Sequence, residues 1–468
     1  MSFVFYDTET TGTDTTFDQI LQFAAIRTDT DLNEIERFEI RCRLMPHIVP
    51  SPGAMRVTGV SVAQLLDPQL PSHYEMMRAI HTKLASWSPA IFIGHNSMSF
   101  DEHLLRQALY QTLHPVYLTN TNGNCRSDSL RMVQAVSYFA PNTLSVPIDD
   151  RGRPSFKLDR LAPANGFADH DAHDAMGDVL AMIHVCRLIM ERADGHWSSF
   201  LRFAQKAAVD AFLQEEEFVT LADFYYGKPY SWFVAPLGLN PENGAELLAF
   251  DLANDPSELS CLDDAALSAR LARSPKPVRG IRMNAAPIIQ SFDETPPHIR
   301  LGKPDEMTSR QRAAALKANP ALSQRFLQAY LSMREPVEPS PHLEQQIYGG
   351  FTGNADLSAL ERFHAAPWAA RPDILPNLGD ARLRALGQRL IYIEAPEVLS
   401  AADRARFDVA LARRVMAEEG SVPWLTIPKA IIDTQDMLSV SDGPEKELLA
   451  GLYAYLRAQA DSYSALVA

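Results

Sequence analysis

Cysteine is scarce in this chain of 468 residues. Cys42, Cys125, Cys186 and Cys261 lie far apart and form no C-x-x-C pair, which excludes a zinc knuckle or a disulfide framework and fits a reducing cytoplasm. Long apolar runs are missing too. The stretch from Leu180 to Met190 is broken by His184 and Arg187, well short of the roughly 20 residues that span a bilayer, so no membrane protein is expected. No basic segment precedes an apolar one at the start, where Met1 leads directly into Phe3-Val4-Phe5-Tyr6, so no signal peptide is expected. Positive charge is also in short supply: 43 Lys and Arg against 58 Asp and Glu leave a net charge of −15. A protein that holds nucleic acid by overall basicity is thereby excluded, and any such site must be a local basic groove. Much of the acidic excess reads as a solubilising surface.

What is present is enough apolar material to fold throughout, with 46% hydrophobic and 22% charged residues. Single cores stop growing at about 250 to 300 residues, so two or three domains are expected. Phe3 to Asp7, Leu21 to Thr28 and Arg37 to Leu44 read as three strands of an antiparallel meander, the last alternating Phe38, Ile40, Cys42 and Leu44 with polar residues. Helical spacing follows over Tyr74 to Trp87, then an apolar strand at Ala90 to Ile93. Further helices are expected from about Ser99 to Leu113, Asp128 to Phe139 and Ala172 to Ala193. This is an α/β domain of residues 1–195. Residues 196–347, with Arg273-Ser274-Pro275-Lys276-Pro277 and Thr295-Pro296-Pro297, read as a small β-rich domain with helical insertions. Pro336, Pro339 and Pro341 form a linker-like break, and residues 348–468 read as a helical C-terminal domain.

Three segments carry candidate chemistry. Asp7 and Glu9, in D-T-E-T-T-G, lie two apart on a strand end, so their carboxylates share one face. Such a pair is either a cation site or an electrostatic cost, and an exposed strand end running into a Thr/Gly turn carries the same residues. Asp101, in H-N-S-M-S-F-D-E, starts a helix just after an apolar strand, where α/β proteins build sites. Ser99 and Glu102 fit a capping box there, which would make Asp101 an ordinary first-turn acid. His173 and Asp178 lie in H-D-A-H-D-A-M-G-D. Five residues correspond to about 500° of helix, so the two side chains converge only if His173 precedes the helix or sits in its first turn. A loop histidine near bound metal can accept a proton from water, although an Asp-rich helix start needs no such role. Taken together, the segments supply four anionic ligands and a base. That is the set which holds two cations about 4 Å apart around a phosphodiester.

These segments resemble, in order and spacing, the three motifs of the DEDDh exonuclease superfamily. The chain is more closely similar to the bacterial exodeoxyribonuclease I family, which removes nucleotides from the 3′ end of single-stranded DNA. The resemblance rests on Gln22-Phe23-Ala24-Ala25-Ile26-Arg27-Thr28-Asp29, Pro52-Gly53-Ala54, Thr58-Gly59, Pro154-Ser155-Phe156, Ala164-Asn165-Gly166 and Ala172-His173-Asp174-Ala175-Met176. Beyond the first domain it continues through Ser231-Trp232, Val234-Ala235-Pro236-Leu237 and Tyr348-Gly349-Gly350-Phe351. It implies an α/β fold: a ribonuclease-H-like exonuclease domain, a small Src-homology-3-like β-barrel and a helical C-terminal domain. It implies that Asp7, Glu9, Asp101 and Asp178 hold two divalent cations, magnesium or alternatively manganese, and that His173 is the general base. Substrate contacts carried over are Glu9, Lys157 (where the family usually has Arg), Arg106, Phe156 and Tyr117. Residues 118 to 126 depart from the family's more aromatic stretch. Lys keeps the charge at 157 but loses the bidentate fork. The middle domain offers Arg270, Arg273, Lys276, Arg279 and Arg282 as groove candidates, a cluster that a solvated face would also show. The expected protein is a cytoplasmic monomer hydrolysing single-stranded DNA to 5′-mononucleotides in repair and recombination. The resemblance also implies contact with the C-terminal tail of single-stranded-DNA-binding protein. The alternatives are a proofreading or RNA-trimming exonuclease, and a nucleic-acid-binding module whose exonuclease fold has lost activity.

Overall fold

The computed structural model describes residues 2–167, 174–335 and 338–467. Its first sheet has five strands: β1 (Ser2–Thr10), β2 (Ile20–Thr28), β3 (Glu34–Arg41), β4 (Ala90–Gly94) and β5 (Cys125–Asp128). They lie in the order β3-β2-β1-β4-β5. The first three form the expected antiparallel meander, and β4 and β5 add in parallel. Alternation along β1 sorts its side chains between two cores. Phe3 and Phe5 pack with Val179, Met182, Cys186 and Ile189 of helix α5 (Ala175–Arg192). Val4 and Tyr6 pack on the other face with α1 (His73–Ser86) and α2 (Asp101–Gln111). The same alternation, continued two pleats further, carries Asp7 and Glu9 to the α5 side and Thr8 to the α2 side.

Helix α3 (Ser129–Phe139) follows β5 directly, capped by Asp128, whose carboxylate accepts from the Leu130 amide at 3.0 Å. The short helix α4 (Leu158–Ala164) begins after Lys157. One local expectation fails: Ser99 and Glu102 form no capping box. Helix α2 starts at Asp101 with Phe100 at its N-cap and no side-chain cap bond. Glu102 turns inward instead, 2% exposed, where it accepts from Arg106 (2.7 Å), Arg126 (2.9 Å), Thr119 (2.7 Å) and Tyr6 (3.2 Å). A carboxylate with two guanidinium partners gains more there than in capping one amide.

The middle of the chain holds a second five-stranded antiparallel sheet: β6 (Val219–Tyr225), β7 (Lys228–Asn240), β8 (Asn243–Asp251), β9 (Val278–Arg282) and β10 (Ile288–Ser291). The order is β10-β6-β7-β8-β9. Helices α6 (Glu306–Ala318) and α7 (Pro320–Leu331) pack on it through Leu316, Phe326 and Leu327. Pro336 falls outside the described residues, while Pro339 and Pro341 lie in irregular chain.

The remaining chain is helical: α8 (Asn354–Ala365), α9 (Ala381–Glu394), α10 (Ala401–Val415), α11 (Ile427–Leu438) and α12 (Gly443–Val467), with short 3-10 turns between. These helices share cores with the first sheet's domain. Tyr74, Tyr110 and Leu113 join Leu360, Phe363, Leu386 and Leu390. Leu21, Leu44, Met55 and Leu65 join Val415, Ile427, Leu452 and Leu456. Among the described residues no helix is long and apolar enough to cross a membrane, and the four cysteines are unpaired.

Candidate active site

The end of β1, the start of α2 and the start of α5 meet at one edge of the first sheet. One carboxylate oxygen from each of Asp7, Glu9 and Asp178 lies within 4.8 Å of the others. Asp7 and Glu9 reach this point because they follow Phe3 and Phe5 on the α5 face, and Asp178 is the acid of the first turn of α5. Asp101 arrives from the opposite face and stands outside that tight group. It is 4% exposed, and its Oδ1 accepts from the Thr8 hydroxyl at 2.6 Å. Thr8, between the two β1 acids, thus ties the fourth carboxylate to the strand. His173 lies outside the described residues. Its successor Asp174 is the N-cap of α5 and accepts from Arg41 at 2.7 Å and Gln22 at 2.9 Å, which fastens the start of the helix to β2 and β3.

The electrostatics follow from the crowding. Burial, then the charges of Asp101, Asp178, Glu9 and Asp174, carry Asp7 well above the usual carboxylate range. Burial first, then Asp178, Asp101 and Asp174, push Glu9 up to about 8, with Arg41 pulling the other way. Burial raises Asp101 to about 7 against the opposing bond from Thr8. A set of hard, all-oxygen, anionic donors held this close fits a divalent cation, which removes the repulsion that otherwise forces protons on.

The loop ahead of Asp101 is built from residues that sequence reasoning passed over. Asp128, besides capping α3, accepts from the amides of Asn96 and Met98, both at 3.0 Å. His95 bridges Ser129 Oγ and the Phe156 carbonyl, both at 2.9 Å. The signal available for Asp128 was its position as an acid directly before a helix.

A cavity of about 760 Å³ opens beside the carboxylates, lined by Phe100, Arg153, Phe156, Lys157, Asp178 and the Tyr226–Gly227 turn, among others. Lys157 is exposed at its wall. Phe156 is 8% exposed, its ring packed edge-on to Phe224 at 5.8 Å. Arg106 and Tyr117 are not among the residues lining this cavity. Arg106 bonds Glu102 and Asn120 and lies 5.2 Å over the Tyr117 ring, which in turn touches the exposed Phe351. Among the middle-domain cations, Arg279 pairs with Asp251 at 3.3 Å and stacks on Trp232, and Arg270 is held by Asn254 and two carbonyls. Arg273, Lys276 and Arg282 are exposed.

Residues 4–186 match the family model described as Exonuclease, and residues 341–459 match that described as Exonuclease I C-terminal domain. The chain is 29% identical to exodeoxyribonuclease I of Escherichia coli (strain K12) over 376 residues, 77% of this chain and 78% of that one. The chain is a homologue of exodeoxyribonuclease I over most of its length. Its structure superposes on E. coli exonuclease I in complex with a dA16 oligonucleotide with a TM-score of 0.86 at 25% identity, covering 98% and 99% of the two chains. A zinc-bound form of the E. coli enzyme with single-stranded DNA matches with a TM-score of 0.84 at 25% identity and the same coverage. Of the fold expected from the sequence, the α/β exonuclease domain and the helical C-terminal region are observed, and the small β-barrel expected between them is represented by a five-stranded antiparallel sheet in which, among the described residues, β9 and β10 are the unpaired edges. The exonuclease match contains Asp7, Glu9, Asp101 and Asp178, and dependence on a divalent metal goes with that domain.

Proposed function

We propose that this chain is a 3′-to-5′ exonuclease that hydrolyses single-stranded DNA to 5′-mononucleotides, acting in DNA repair and recombination. The observation that carries the reading is the convergence of Asp7, Glu9 and Asp178 within 4.8 Å, on a scaffold homologous to exodeoxyribonuclease I. Asp7, Glu9, Asp101 and Asp178 hold two divalent cations, magnesium or manganese. Bound there, the cations neutralise charge and polarise the oxygens of the scissile phosphate. Thr8 fixes Asp101 through its hydroxyl. Glu9 also faces the terminal nucleotide. Asp174, braced by Arg41 and Gln22, fixes the chain directly after His173, and His173 takes the proton of the attacking water. Lys157 meets a phosphate with its ammonium, and Phe156 supplies the apolar wall of the cavity. Arg106 and Tyr117, with Phe351 beside them, form a contact farther along the strand. The domains are taken as 1–195, 196–347 and 348–468. A monomeric, cytoplasmic state and contact with the tail of single-stranded-DNA-binding protein follow from the family resemblance.

The test is digestion of single strands labelled at either end, beside duplex DNA and RNA, with and without magnesium. A 5′ label should remain on a descending ladder, a 3′ label should leave at once as a mononucleotide, and chelation should stop both. Internal cuts, or loss of the 5′ label first, would overturn the assignment. The rate at fixed magnesium should also rise with pH through the histidine range, and His173→Ala should lose roughly 100-fold or more. A His173→Ala chain with the wild-type rate and profile would show that another group takes the proton.

A further inference from the structure

The turn between β6 and β7 is a two-residue hairpin loop, Tyr226-Gly227, closing on the pair Tyr225 and Lys228. Both loop residues have positive φ, 54° for Tyr226 and 77° for Gly227. Such a turn favours Asn-Gly, because the first position must adopt the left-handed conformation that a bulky side chain resists. Here the position holds tyrosine, and its ring is 90% exposed. The ring therefore gains no burial in return for the conformation it imposes.

The hairpin is nevertheless held firmly over the exonuclease cavity. At its root, Phe224 stands edge-on between Tyr138 (6.2 Å) and Phe156 (5.8 Å). The Tyr138 hydroxyl meets Ser231 Oγ at 2.8 Å, and Arg131 lies 3.9 Å from Asp223. At its tip, a Cβ on Gly227 would come within 3.3 Å of the Pro154 carbonyl, so the backbone rests against the loop that leads to Lys157. Tyr226 and Gly227 line the same cavity as Lys157 and Asp178. Lys157 has no ion-pair partner among the described residues. The cavity thus presents an unpartnered ammonium, a carboxylate of the cation site and, from another domain, a bare aromatic ring on a rigid support. A nucleotide has a complement for each: a phosphate, the scissile linkage and a base.

We infer that Tyr226 is a stacking residue for one base near the 3′ end of the strand, placed by the β6–β7 hairpin as the second domain's contribution to the exonuclease pocket. This rests on the functional reading above and adds to it the residue that grips the base. Stacking on an aromatic side chain tolerates any base, as an exonuclease of broad sequence range requires. Its loss by alanine substitution weakens binding by roughly five- to 150-fold per base.

The test is an abasic scan on the full-length chain in magnesium. A single abasic residue is moved through the six nucleotides nearest the 3′ end, and kcat/KM for the first nucleotide released is measured for wild type, Tyr226→Ala, Tyr226→Phe and Tyr226→Asn. Wild type and Tyr226→Phe should lose roughly five- to 150-fold at one position. Tyr226→Ala and Tyr226→Asn should be slow on the intact strand and lose nothing further at that position. Tyr226→Asn should melt at or above the wild-type temperature, since asparagine suits the turn. Identical abasic profiles for wild type and Tyr226→Ala would overturn the stacking role while leaving the exonuclease reading intact. So would a Tyr226→Asn chain that melts several degrees lower, because the ring would then be a structural contact. Failure of the wild type to release nucleotides from the 3′ end would instead overturn the exonuclease reading itself.

Discussion

Glu9 sits two residues beyond Asp7 on β1, so both carboxylates project on the α5 face, where Asp178 meets them. In a chelated protein Asp7, Glu9 and Asp101 resist ionisation, with burial and the neighbouring carboxylates carrying Asp7 upward and pushing Glu9 to about 8, and burial taking Asp101 to about 7. A carboxylate whose folded-state pKa is raised binds its proton more tightly folded than unfolded. Its stabilising contribution is complete below the unfolded value near 4 and is lost as pH rises through the folded one. The melting temperature in chelator should therefore fall between about pH 5 and pH 8, the window set by those shifts. Glu9→Gln or saturating magnesium should flatten the fall. A chelated wild type whose melting temperature rises steadily over that range would mean the acids are not crowded as described. Of this arrangement, the D-x-E pairing was legible from strand periodicity alone. The part played by Thr8 was not, since a hydroxyl between two acids carries no spacing signal and its partner Asp101 lies 93 residues on.

Helix α2 shows how neighbouring acids acquire opposite roles. Asp101 faces the sheet edge, whereas Glu102 is sealed in with Arg106 and Arg126. Removing one partner from a buried charge network leaves the others uncompensated, at about 3–5 kcal/mol. Glu102→Gln should lower unfolding free energy by that order in a denaturant titration, while an equal substitution at exposed Glu361 should change it little. A Glu102→Gln chain as stable as wild type would show that the guanidiniums find other partners. The strands and helices of the first domain were legible wherever apolar residues alternate or repeat along one face. β5 escaped because Cys-Arg-Ser-Asp has no apolar pattern. It is buried through polar partners, Arg126 on Glu102 and Asp128 on the loop amides of Asn96 and Met98. The capping box at Ser99 fitted by spacing and failed because Glu102 had stronger partners inside.

At the scale of the whole molecule, the C-terminal helices are part of the exonuclease domain's own packing. Glu344 accepts from Arg389 at 2.6 Å and Arg414 at 3.1 Å, and its carbonyl accepts from Gln107 of α2 at 3.0 Å. Around this pin, Tyr74, Tyr110, Leu113, Leu21, Leu44 and Met55 are covered by residues beyond 340. The sequence reads as separable domains because domain contacts across several hundred residues leave no local pattern. Residues 1–194 made alone should expose those faces, bind a hydrophobic dye and elute as aggregates, since contiguous apolar patches of this kind drive association. A truncated chain that is monomeric and melts like the full protein would show the shared cores to be dispensable.

The central claim is that the carboxylate cluster of Asp7, Glu9, Asp101 and Asp178 performs metal-dependent hydrolysis of a single strand from its 3′ end. It is tested most directly by nucleotide release from a 5′-labelled single strand in saturating magnesium, wild type beside Asp178→Ala, with the melting temperature of each measured in chelator. The account predicts a descending ladder for the wild type and none for Asp178→Ala, whose metal-free melting temperature equals or exceeds the wild type because one repelling charge is gone. An Asp178→Ala chain that stays within tenfold of the wild-type rate would contradict it.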